Sequence, residues 1–576
     1  MKRYIYAAII LLGAGLGSAL FRSWLLPNPV GKSFDHEYKD RASGPELWSP
    51  GDSPEKLRDD DWFEDVTLAS GVDHTYRNGR EGGHYYILES VGGGVAMVDY
   101  DGDGDLDLFF PGGGTITSDR QAKNHIRGLS DRLFRNEGNF QFTNVSGECL
   151  TYSTASYSHG CSVCDFDSDG DPDIFVSCFG TSRLLRNDKG KFVDASAALG
   201  VVVKGWATAS AWGDFDNDGH LDLFVSRYLN WTPKLAQQCI HMGTQRDICG
   251  PEKFAAAGDV VFRNVNGKFE NVSKKWLAGQ RAGKGLGLVV ADLNNDGRPN
   301  VYVANDETPN QLYTFNDEQQ KFVDSGQRVG VARSENGADQ GGMGVDADDI
   351  NGDGFADIWV VNFEREDNCL YAGSRIGLFR DVAPRLSLAD PSRRYVGFGT
   401  ASADFDSDGN MDIVVANGHV FYHGRHSTFA QPTQLFRGGK QFTDVSLNGG
   451  TYFRQRHPAR GLAVGDLDND GALDLVIVHQ NKPATILRNR RKPASFVRLT
   501  ISGDGVGGHV AVEHDGRKVT RYVKCGSGYL SSSDARILLP FVPQRVIMHW
   551  PGGKQTLHKM QKGVHEYVIQ ARSASE

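Results

Sequence analysis

The stretch DYDGDGDLDLFF, residues 99–110, places aspartates at alternate positions, a glycine at its sixth position and an apolar run at its end. Alternate carboxylates turn inward when a chain wraps tightly around one point, and the glycine permits the bend that this requires. Such a loop forms an oxygen cage for a hard cation. The closing run of large apolar residues is typical of a buried β-strand. We therefore predict a cation-binding loop that leads into a strand.

The same pattern, DxDxDGxxD, occurs seven times along the chain, at spacings of 49 to 78 residues. We number these acidic loops 1 to 7, and the positions within each loop 1 to 9. Positions 1, 3, 5 and 9 are predicted to bind the cation through their side chains, and position 7 through its backbone carbonyl. The predicted ligand residues, loop by loop, are Asp99, Asp101, Asp103, Asp105 and Asp107; Asp165, Asp167, Asp169, Asp171 and Asp173; Asp214, Asp216, Asp218, His220 and Asp222; Asp292, Asn294, Asp296, Arg298 and Asn300; Asp349, Asn351, Asp353, Phe355 and Asp357; Asp404, Asp406, Asp408, Asn410 and Asp412; and Asp466, Asp468, Asp470, Ala472 and Asp474.

The acidic loops concentrate negative charge that needs a counterion. Positions 1, 3, 5 and 9 carry 25 carboxylates, and the whole chain has a formal net charge of −10. Calcium suits these flexible loops better than magnesium, because magnesium retains water ligands. We expect up to seven structural Ca²⁺ ions whose binding is coupled to folding. Loop 4 is the weakest candidate, since Asn294 and Asn300 replace carboxylates. Solvated acidic turns without metal are the alternative.

The residues around the loops indicate strands and not helices. An EF-hand needs a glutamate at position 12 and flanking helices, but position 12 is apolar in all seven loops, as at Phe110 and Val176. A glycine-rich strand precedes most loops, and an LFRN-like strand and an FxDV-like strand follow downstream. Four strands in each of seven units predict an all-β chain, a seven-bladed β-propeller. The seventh unit lacks its FxDV strand, so Phe63–Thr67 is expected to complete the last blade.

The N-terminus predicts export. Three residues, Met1 to Arg3, precede an apolar run over residues 4–21, which is the charge order of a secretory signal. Residues 1–26 are therefore expected to be either a cleaved signal peptide or an uncleaved membrane anchor. Residues 27–60 are rich in Pro, Gly, Ser and charge and predict a flexible linker. The exported body is expected in the periplasm, on the cell surface or secreted.

The rest of the chain divides into two predicted domains. The propeller is assigned to residues 61–492, and a smaller domain to residues 493–572. Of the eight cysteines, Cys239 and Cys249 bracket a segment in the longest insertion between repeats. A disulfide is expected there, because it restrains a loop that lacks a core of its own.

Several stretches resemble one known family. They include VANDETPNQLY (residues 303–313), QGGMGVDADDINGDG (340–354), VNFEREDNCLY (361–371) and, near the C-terminus, GSGYLSSS (526–533) with WPGG. The acidic loops resemble the FG-GAP/VCBS repeats of integrin-α-like propellers, and the whole pattern resembles the cartilage acidic protein family. This resemblance implies a calcium-binding propeller followed by a small β-rich ASPIC/UnbV-like domain. The chain departs from the family at GVGGHV and LPFVP in that domain, which puts the function of the domain in doubt.

The sequence supports two functional hypotheses. Common hydrolase and nucleotide-binding motifs are absent as strings, and an acidic chain without a basic run does not favour nucleic acid as a partner. The first hypothesis is a calcium-stabilised scaffold that binds an unidentified protein or glycan, with a membrane contact only through an N-terminal anchor. The second is a lyase-like or dehydratase-like propeller enzyme acting on a carbohydrate or a secondary metabolite. Its weak catalytic candidates are His419 and His423, which cluster with His426.

Overall fold

The computed structural model describes residues 56–119, 124–152, 156–241, 245–514, 516–561 and 563–570. The predicted signal or anchor segment, and all but the last residues of the predicted linker, lie outside the described residues. None of the helices in the described part combines the length and the apolar character needed to cross a membrane.

The strands are numbered β1 to β40 along the chain. Those before and within the first two repeats are β1 (Phe63–Asp65), β2 (Arg77–Asn78), β3 (Ala96–Val98), β4 (Asp107–Phe110), β5 (Gly113–Ser118), β6 (Asn124–Gly128), β7 (Arg132–Asn136), β8 (Phe142–Asn144), β9 (Tyr157–Cys164), β10 (Asp173–Thr181), β11 (Arg183–Asn187) and β12 (Phe192–Asp194). Those of the third and fourth repeats are β13 (Lys204–Gly213), β14 (Asp222–Arg227), β15 (Cys239–His241), β16 (Gln245–Asp247), β17 (Val260–Val265), β18 (Lys268–Asn271), β19 (Gly285–Ala291), β20 (Asn300–Asn305), β21 (Gln311–Asn316) and β22 (Lys321–Asp324).

The remaining strands belong to the last three repeats and the C-terminal domain. In the repeats they are β23 (Val345–Asp348), β24 (Asp357–Val360), β25 (Cys369–Ala372), β26 (Arg380–Asp381), β27 (Gly397–Ala403), β28 (Asp412–Asn417), β29 (Gln434–Arg437), β30 (Thr443–Asp444), β31 (Ala459–Gly465), β32 (Asp474–His479) and β33 (Lys482–Asn489). In the C-terminal domain they are β34 (Val497–Ile501), β35 (His509–His514), β36 (Arg517–Tyr522), β37 (Ile537–Leu539), β38 (Arg545–His549), β39 (Gln555–Lys559) and β40 (Glu566–Ile569).

Helices in the described part are single turns. The α-helices are α1 (Thr67–Ser70), α2 (Ser146–Cys149), α3 (Ser196–Leu199), α4 (Ser273–Trp276), α5 (Gly326–Val329) and α6 (Ala389–Ser392). Turns of 3₁₀-helix span Arg80–Gly82, Ile87–Ser90, Pro233–Leu235, Pro251–Lys253, Ser446–Asn448, Gly503–Gly505 and Pro551–Gly553.

Each repeat forms a four-stranded antiparallel unit, which we call a blade. From the innermost strand outward, blades 1 to 7 are β3-β4-β7-β8, β9-β10-β11-β12, β13-β14-β17-β18, β19-β20-β21-β22, β23-β24-β25-β26, β27-β28-β29-β30 and β31-β32-β33-β1. Blades 2 and 3 join in one sheet through β10 and β13. The second strand of each blade is buried along most of its length, because it lies centrally in the sheet and between neighbouring blades.

The N-terminal strand closes the ring of blades. β1 pairs antiparallel with β33, in the register Phe63 with Asn489 and Asp65 with Leu487. Phe63 is buried, and its ring packs against those of Phe405 and Phe453. The innermost strand of each blade contacts that of the next, and β31 contacts β3. These contacts give the propeller-like fold that the repeats predicted, and the segment at Phe63 completes the last blade as expected.

The C-terminal domain consists of two sheets, β37-β34-β40 and β36-β35-β38-β39. Between β36 and β37 runs the segment Val523–Arg536, which we call the plug because it fills the space between the innermost strands. The plug bonds to the innermost strands of several blades: the Cys161 N–H donates to the Leu530 carbonyl (3.1 Å), and the Gly528 N–H donates to the Val345 carbonyl (2.7 Å). Tyr529, at its centre, is fully buried.

The cysteines of the described residues include the disulfide that the sequence predicted. Cys239 and Cys249 form a disulfide, and this bond holds the β15–β16 hairpin to the segment that follows it. The other six cysteines are free and buried. Two of these, Cys161 and Cys164, form the CxxC of the sequence and lie within β9 as core residues.

Candidate metal sites and the channel mouth

The seven acidic loops share one backbone conformation. Each connects the first strand of a blade to the second. The sixth-position glycine has a positive φ in all seven, between 83° at Gly297 and 95° at Gly104 and Gly170. Position 4 is also left-handed throughout, with φ between 57° at Asn469 and 75° at Gly102. Position 4 is always Gly, Ser or Asn, and Gly and Asn are the residues that tolerate this conformation best.

The aspartate at position 1 holds each loop in shape. One of its carboxylate oxygens accepts the N–H of the sixth-position glycine in every loop, at 2.9 to 3.1 Å; examples are Gly104 to Asp99 and Gly219 to Asp214. This bond folds the loop back on itself. In five of the loops, the side chains of positions 1 and 3 converge.

Five of the seven loops bring three carboxylates together. In loops 1, 2, 6 and 7 these belong to positions 1, 3 and 9, and in loop 3 they belong to positions 1, 3 and 5. In each group, one carboxylate oxygen from every residue lies within 4.8 Å of the others. The groups are Asp99, Asp101 and Asp107; Asp165, Asp167 and Asp173; Asp214, Asp216 and Asp218; Asp404, Asp406 and Asp412; and Asp466, Asp468 and Asp474.

Loops 4 and 5 do not form such a group among the described residues. In loop 4, the Asn300 amide replaces the position-9 carboxylate, and its oxygen accepts the Leu293 N–H at 2.9 Å. In loop 5, Asn351 replaces the position-3 carboxylate, and its amide donates to Asp357 Oδ1 at 3.0 Å. The weakness that the sequence predicted for loop 4 therefore extends to loop 5.

Burial makes the charged form of the position-9 carboxyl unfavourable without a counterion. Burial raises the pKa of Asp107 to about 8, and those of Asp173 and Asp222 to about 9. In each case two backbone N–H bonds to the carboxylate oppose this rise only in part, and neighbouring loop carboxylates add to it. A divalent cation favours the ionised form and removes this cost.

The donor set fits a calcium ion. Several buried loop oxygens have no hydrogen-bond partner among the described residues, namely Asp216 Oδ1, Asp349 Oδ1, Asp406 Oδ1 and Asp468 Oδ1. Buried acceptors are normally satisfied, so clustered carboxylate oxygens without a protein partner are suited to ligating a metal ion. All-oxygen ligands in a flexible loop are those that Ca²⁺ prefers.

In four cases, the asparagine of the LFRN-like strand links its own blade to the acidic loop of the preceding blade. Asn187 of blade 2 donates to the Tyr100 carbonyl in loop 1 (2.8 Å), and Asn264 of blade 3 donates to the Phe166 carbonyl in loop 2 (3.1 Å). Asn136 closes the ring in the same way by donating to Leu467 in loop 7. The acidic loops therefore lie at the junctions between blades, where a bound ion can stabilise the ring.

Basic side chains contact some of the loop carboxylates directly. Arg263 bonds to Asp216 and Asp218 of loop 3. In loop 7, Asp466 forms a buried ion pair with Arg498 of the C-terminal domain, at 2.7 Å. This pair attaches the C-terminal domain to the face of the ring that carries the acidic loops.

The histidine candidates do not form a cluster of metal ligands within the described residues. His419 is fully buried, and its Nε2 lies 3.3 Å from Glu364 Oε1. The backbone N–H of His423 donates to Asp247 at 2.7 Å, and His426 is exposed beside Arg365. His419 is therefore placed as a paired core residue beneath the surface.

Comparisons with known proteins identify the family. A model described as an FG-GAP-like repeat matches residues 99–176, 165–225, 254–303, 292–360, 349–415 and 404–477, more than half of the chain. A second model, ASPIC and UnbV, matches residues 501–576. Cartilage acidic protein 1 of Homo sapiens is 25% identical over 340 residues. The chain belongs to the cartilage acidic protein-like family of FG-GAP repeat proteins.

The match to these relatives is partial. The human alignment covers 55% of this chain and 46% of the relative. Cartilage acidic protein 1 of Xenopus tropicalis is 23% identical over 412 residues, covering 67% of this chain and 57% of that protein. The chain thus spans about half the length of the curated relatives it matches. A solved lectin structure from Agrocybe aegerita, titled for recognition of terminal N-acetylglucosamine, covers 63% of this chain and 89% of its own, at 15% identity and a TM-score of 0.32. That likeness is too low to carry an inference about ligands.

Outside the acidic loops of this FG-GAP repeat protein, three of the stretches that resemble the family, residues 303–313, 340–354 and 361–371, contribute to one cavity. A cavity of about 110 Å³ opens between residues that precede the innermost strands or follow the second strands of the blades. These are the strand ends remote from the acidic loops. We call it the mouth cavity; its lining includes Tyr228, Asp306, Met343, Phe363, Glu366 and Phe398. Phe398 packs against Tyr529 with ring centroids 4.9 Å apart, so the plug lies directly beneath the cavity.

Proposed function

We propose that this protein is an extracytoplasmic, calcium-stabilised propeller scaffold that recognises a protein or a glycan. The observation that carries the proposal is the grouping of three carboxylates in each of five loops at the junctions between blades. The raised pKa values of Asp107, Asp173 and Asp222 support it, because these carboxyls are unfavourable in their charged form until a cation is present. The disulfide between Cys239 and Cys249 supports an oxidising compartment.

The carboxylates at positions 1, 3, 5 and 9 would supply the side-chain ligands, and the carbonyl at position 7 would add a backbone oxygen. When bound, calcium supplies positive charge that neutralises the loop carboxylates. The chain contributes the rest: Asn187 and its counterparts connect four of the loops to the next blade of the ring, so a rigid loop fixes the angle between two blades. A rigid ring presents the loops of its opposite face in a constant arrangement, which suits recognition.

The enzyme hypothesis gains no support from the histidines. His419 is buried and paired with Glu364, and neither His419 nor His423 lines the mouth cavity. A general acid or base must reach the proton that it transfers. The scaffold is therefore the function that the geometry favours.

Calcium titration of the metal-free protein tests the calcium part of the proposal. We expect calorimetry to show saturable binding at several sites, and differential scanning calorimetry to show a melting temperature that rises with calcium concentration. Magnesium at the same concentration serves as the control and should stabilise the protein less. If neither ion binds, the loops are solvated turns and the proposal is wrong.

Affinity capture tests the recognition part. The immobilised full chain is exposed to extracellular proteins and to a glycan array, with calcium and with EDTA. We expect ligands that are retained with calcium and lost with EDTA, because the presenting loops depend on the rigid ring. Saturable calcium binding without any calcium-dependent ligand would contradict the recognition role and leave the calcium role standing.

A further inference from the structure

The mouth cavity has the properties of a small-ligand site, and it is independent of the acidic loops. Its volume of about 110 Å³ is several times the roughly 10–15 Å³ that one water molecule requires. Its floor is closed, because Phe398, Met343 and Leu286 are almost fully buried and Phe398 rests on Tyr529 of the plug. A closed apolar floor with polar groups at the opening is the usual form of a small-molecule pocket.

One wall of the cavity is held in place by the disulfide. Ile248, Cys249, Gly250 and Pro251 line it and directly follow the β15–β16 hairpin. Asp247 of that hairpin accepts the backbone N–H groups of Tyr422 (3.1 Å) and His423 (2.7 Å). The insertion between repeats is thus fastened across the mouth, and the cavity is a built feature with fixed walls.

The polar groups at the opening are carboxylates. Asp306, Glu307, Glu366 and Glu252 all line the cavity. Asp306 Oδ2 accepts the Tyr228 hydroxyl at 2.5 Å, and Glu366 Oε2 accepts the Gly341 N–H at 2.8 Å, so both side chains are held in position. Their charge is incompletely balanced, since burial, and to a smaller extent the charges of neighbouring acids, raise the pKa of Asp306 and of Glu366 to about 7.

Lys284 is a buried cation whose charge acts on these acids. Its Nζ donates to the Pro251 carbonyl at 3.0 Å, and its charge lowers the pKa of Asp306 and of Glu307. Lys253 at the rim pairs with Glu252 at 3.4 Å. A bound positive group would supply the remaining charge for Asp306 and Glu366.

The position of the acids distinguishes an organic cation from a metal ion. In the described residues, every group of three metal-ligating side chains that converge within 4.8 Å belongs to an acidic loop, and the mouth-cavity acids form none. The acids also share their cavity with Phe363, Phe398 and Met343, and a hydrated metal ion gains nothing from apolar walls. A positive group carried on an apolar body satisfies both surfaces.

We propose that the mouth cavity binds a primary ammonium group on an apolar chain, with Asp306 and Glu366 around the ammonium and Phe363, Met343 and Phe398 around the chain. The proposal deepens, and rests on, the proposed role in recognition. The ammonium can come from a free alkylamine or from a lysine side chain of a bound protein. Both sources present the same chemistry to the cavity.

Ligand-observed NMR titration of the full-length, calcium-loaded protein tests the proposal. The probes are n-hexylammonium and its neutral counterpart n-hexanol. We expect hexylammonium to bind at least about tenfold more tightly than hexanol, because only the ammonium pairs with desolvated carboxylates. Equal binding of the two probes, or no binding of either, overturns the proposal. The proposal is also overturned if added Ca²⁺ displaces hexylammonium by binding to Glu366, because the cavity would then be a metal site.

Variants identify the carboxylates. Glu366→Gln and Asp306→Asn should each weaken hexylammonium binding about tenfold or more and change hexanol binding less than about twofold. The matched control is Glu270→Gln, at an exposed residue of β18, which should change neither. Equal losses in Glu366→Gln and Glu270→Gln overturn the assignment. Calcium-dependent melting should be unchanged in Glu366→Gln, so failure here is distinguishable from failure of the calcium scaffold.

A peptide pair separates the two sources. Acetyl-Gly-Lys-Gly-amide is compared with the peptide in which norleucine replaces lysine. Binding of the lysine peptide at least as tight as that of hexylammonium supports a protein ligand that inserts a lysine. Binding of hexylammonium alone supports a free amine. Equal binding of the lysine and norleucine peptides counts against an ammonium site.

Discussion

Replacing Asp173 by Asn should have opposite effects with and without calcium. In the metal-free protein, burial raises the pKa of Asp173 from 3.8 to about 9. At pH 7 this costs the folded state about 4 kcal/mol relative to an unshifted carboxyl. A neutral amide removes that cost. The amide keeps one of the two hydrogen bonds that the carboxylate accepts from the backbone N–H groups of Asn187 and Phe166. Loss of the other hydrogen bond lowers the free energy of unfolding by about 1–3 kcal/mol.

Asp173→Asn should therefore be as stable as the unchanged protein in EDTA, or more stable by about 1–3 kcal/mol. Calcium should stabilise the variant less. One site filled at a thousandfold excess over its Kd contributes about 4 kcal/mol, and the variant should lose about that part of the stabilisation. Loop 4, which carries Asn300 at this position, shows that the fold accepts the amide.

Urea denaturation followed by tryptophan fluorescence, at pH 7 in EDTA and in calcium, measures both effects. Asp171→Asn is the matched control, because position 7 is expected to bind calcium through its backbone carbonyl; it should leave the calcium increment within about 0.5 kcal/mol. If Asp173→Asn destabilises the protein by the same amount in both buffers, Asp173 is only a hydrogen-bond acceptor and the reasoning about the cation is refuted.

Three further predictions concern pH, the plug and the links between blades. In EDTA, the melting temperature should fall as the pH rises from about 4 to about 8. The folded state holds protons on Asp107 and Asp412, because burial raises their pKa values to about 8, whereas the unfolded state does not hold these protons. In saturating calcium the fall in melting temperature should be smaller, and a rise of the melting temperature in EDTA would contradict the burial argument. Tyr529→Ala should lower the free energy of unfolding by about 3–5 kcal/mol in urea denaturation, and a loss below about 1 kcal/mol would show that the plug is not packed as described. Asn187→Ala should lower the same free energy by about 1–3 kcal/mol, whereas an equal loss in Asn316→Ala, at the end of β21, would remove any special role for the linking asparagines.

The sequence was sufficient to predict the repeating parts of the molecule. Each acidic loop combines a fixed spacing with a required glycine, so Gly104 and its six counterparts have the predicted bend. The seventh repeat lacks one strand, and an extra strand of the same type lies at Phe63 before the first repeat. These two deviations predicted the closure of the ring, because the extra strand can take the place of the missing one. The Gly, Ser and Asn residues at position 4 are compatible with its left-handed conformation, but the cation-binding pattern does not require that conformation.

The parts that the sequence did not predict depend on contacts between distant segments. In the sequence, the stretch GSGYLSSS shows only a family resemblance, yet Tyr529 and Leu530 fill the centre of the ring. Nothing in the local pattern of these residues indicates their partners. The mouth cavity likewise draws Asp306 and Glu366 from different repeats, and no periodic signal connects them. The predicted histidine cluster is not formed for the same reason. His419 and His426 are close in sequence, but they lie in different environments of the fold.

Calcium content is the most direct test of the account. Elemental analysis by inductively coupled plasma mass spectrometry is done on the purified full chain, after dialysis against calcium and then after EDTA. We expect at least five tightly held calcium ions per chain, one for each loop with three converging carboxylates. In EDTA these ions should be lost and the melting temperature should fall. A metal-free protein that melts at the same temperature in both buffers would contradict it.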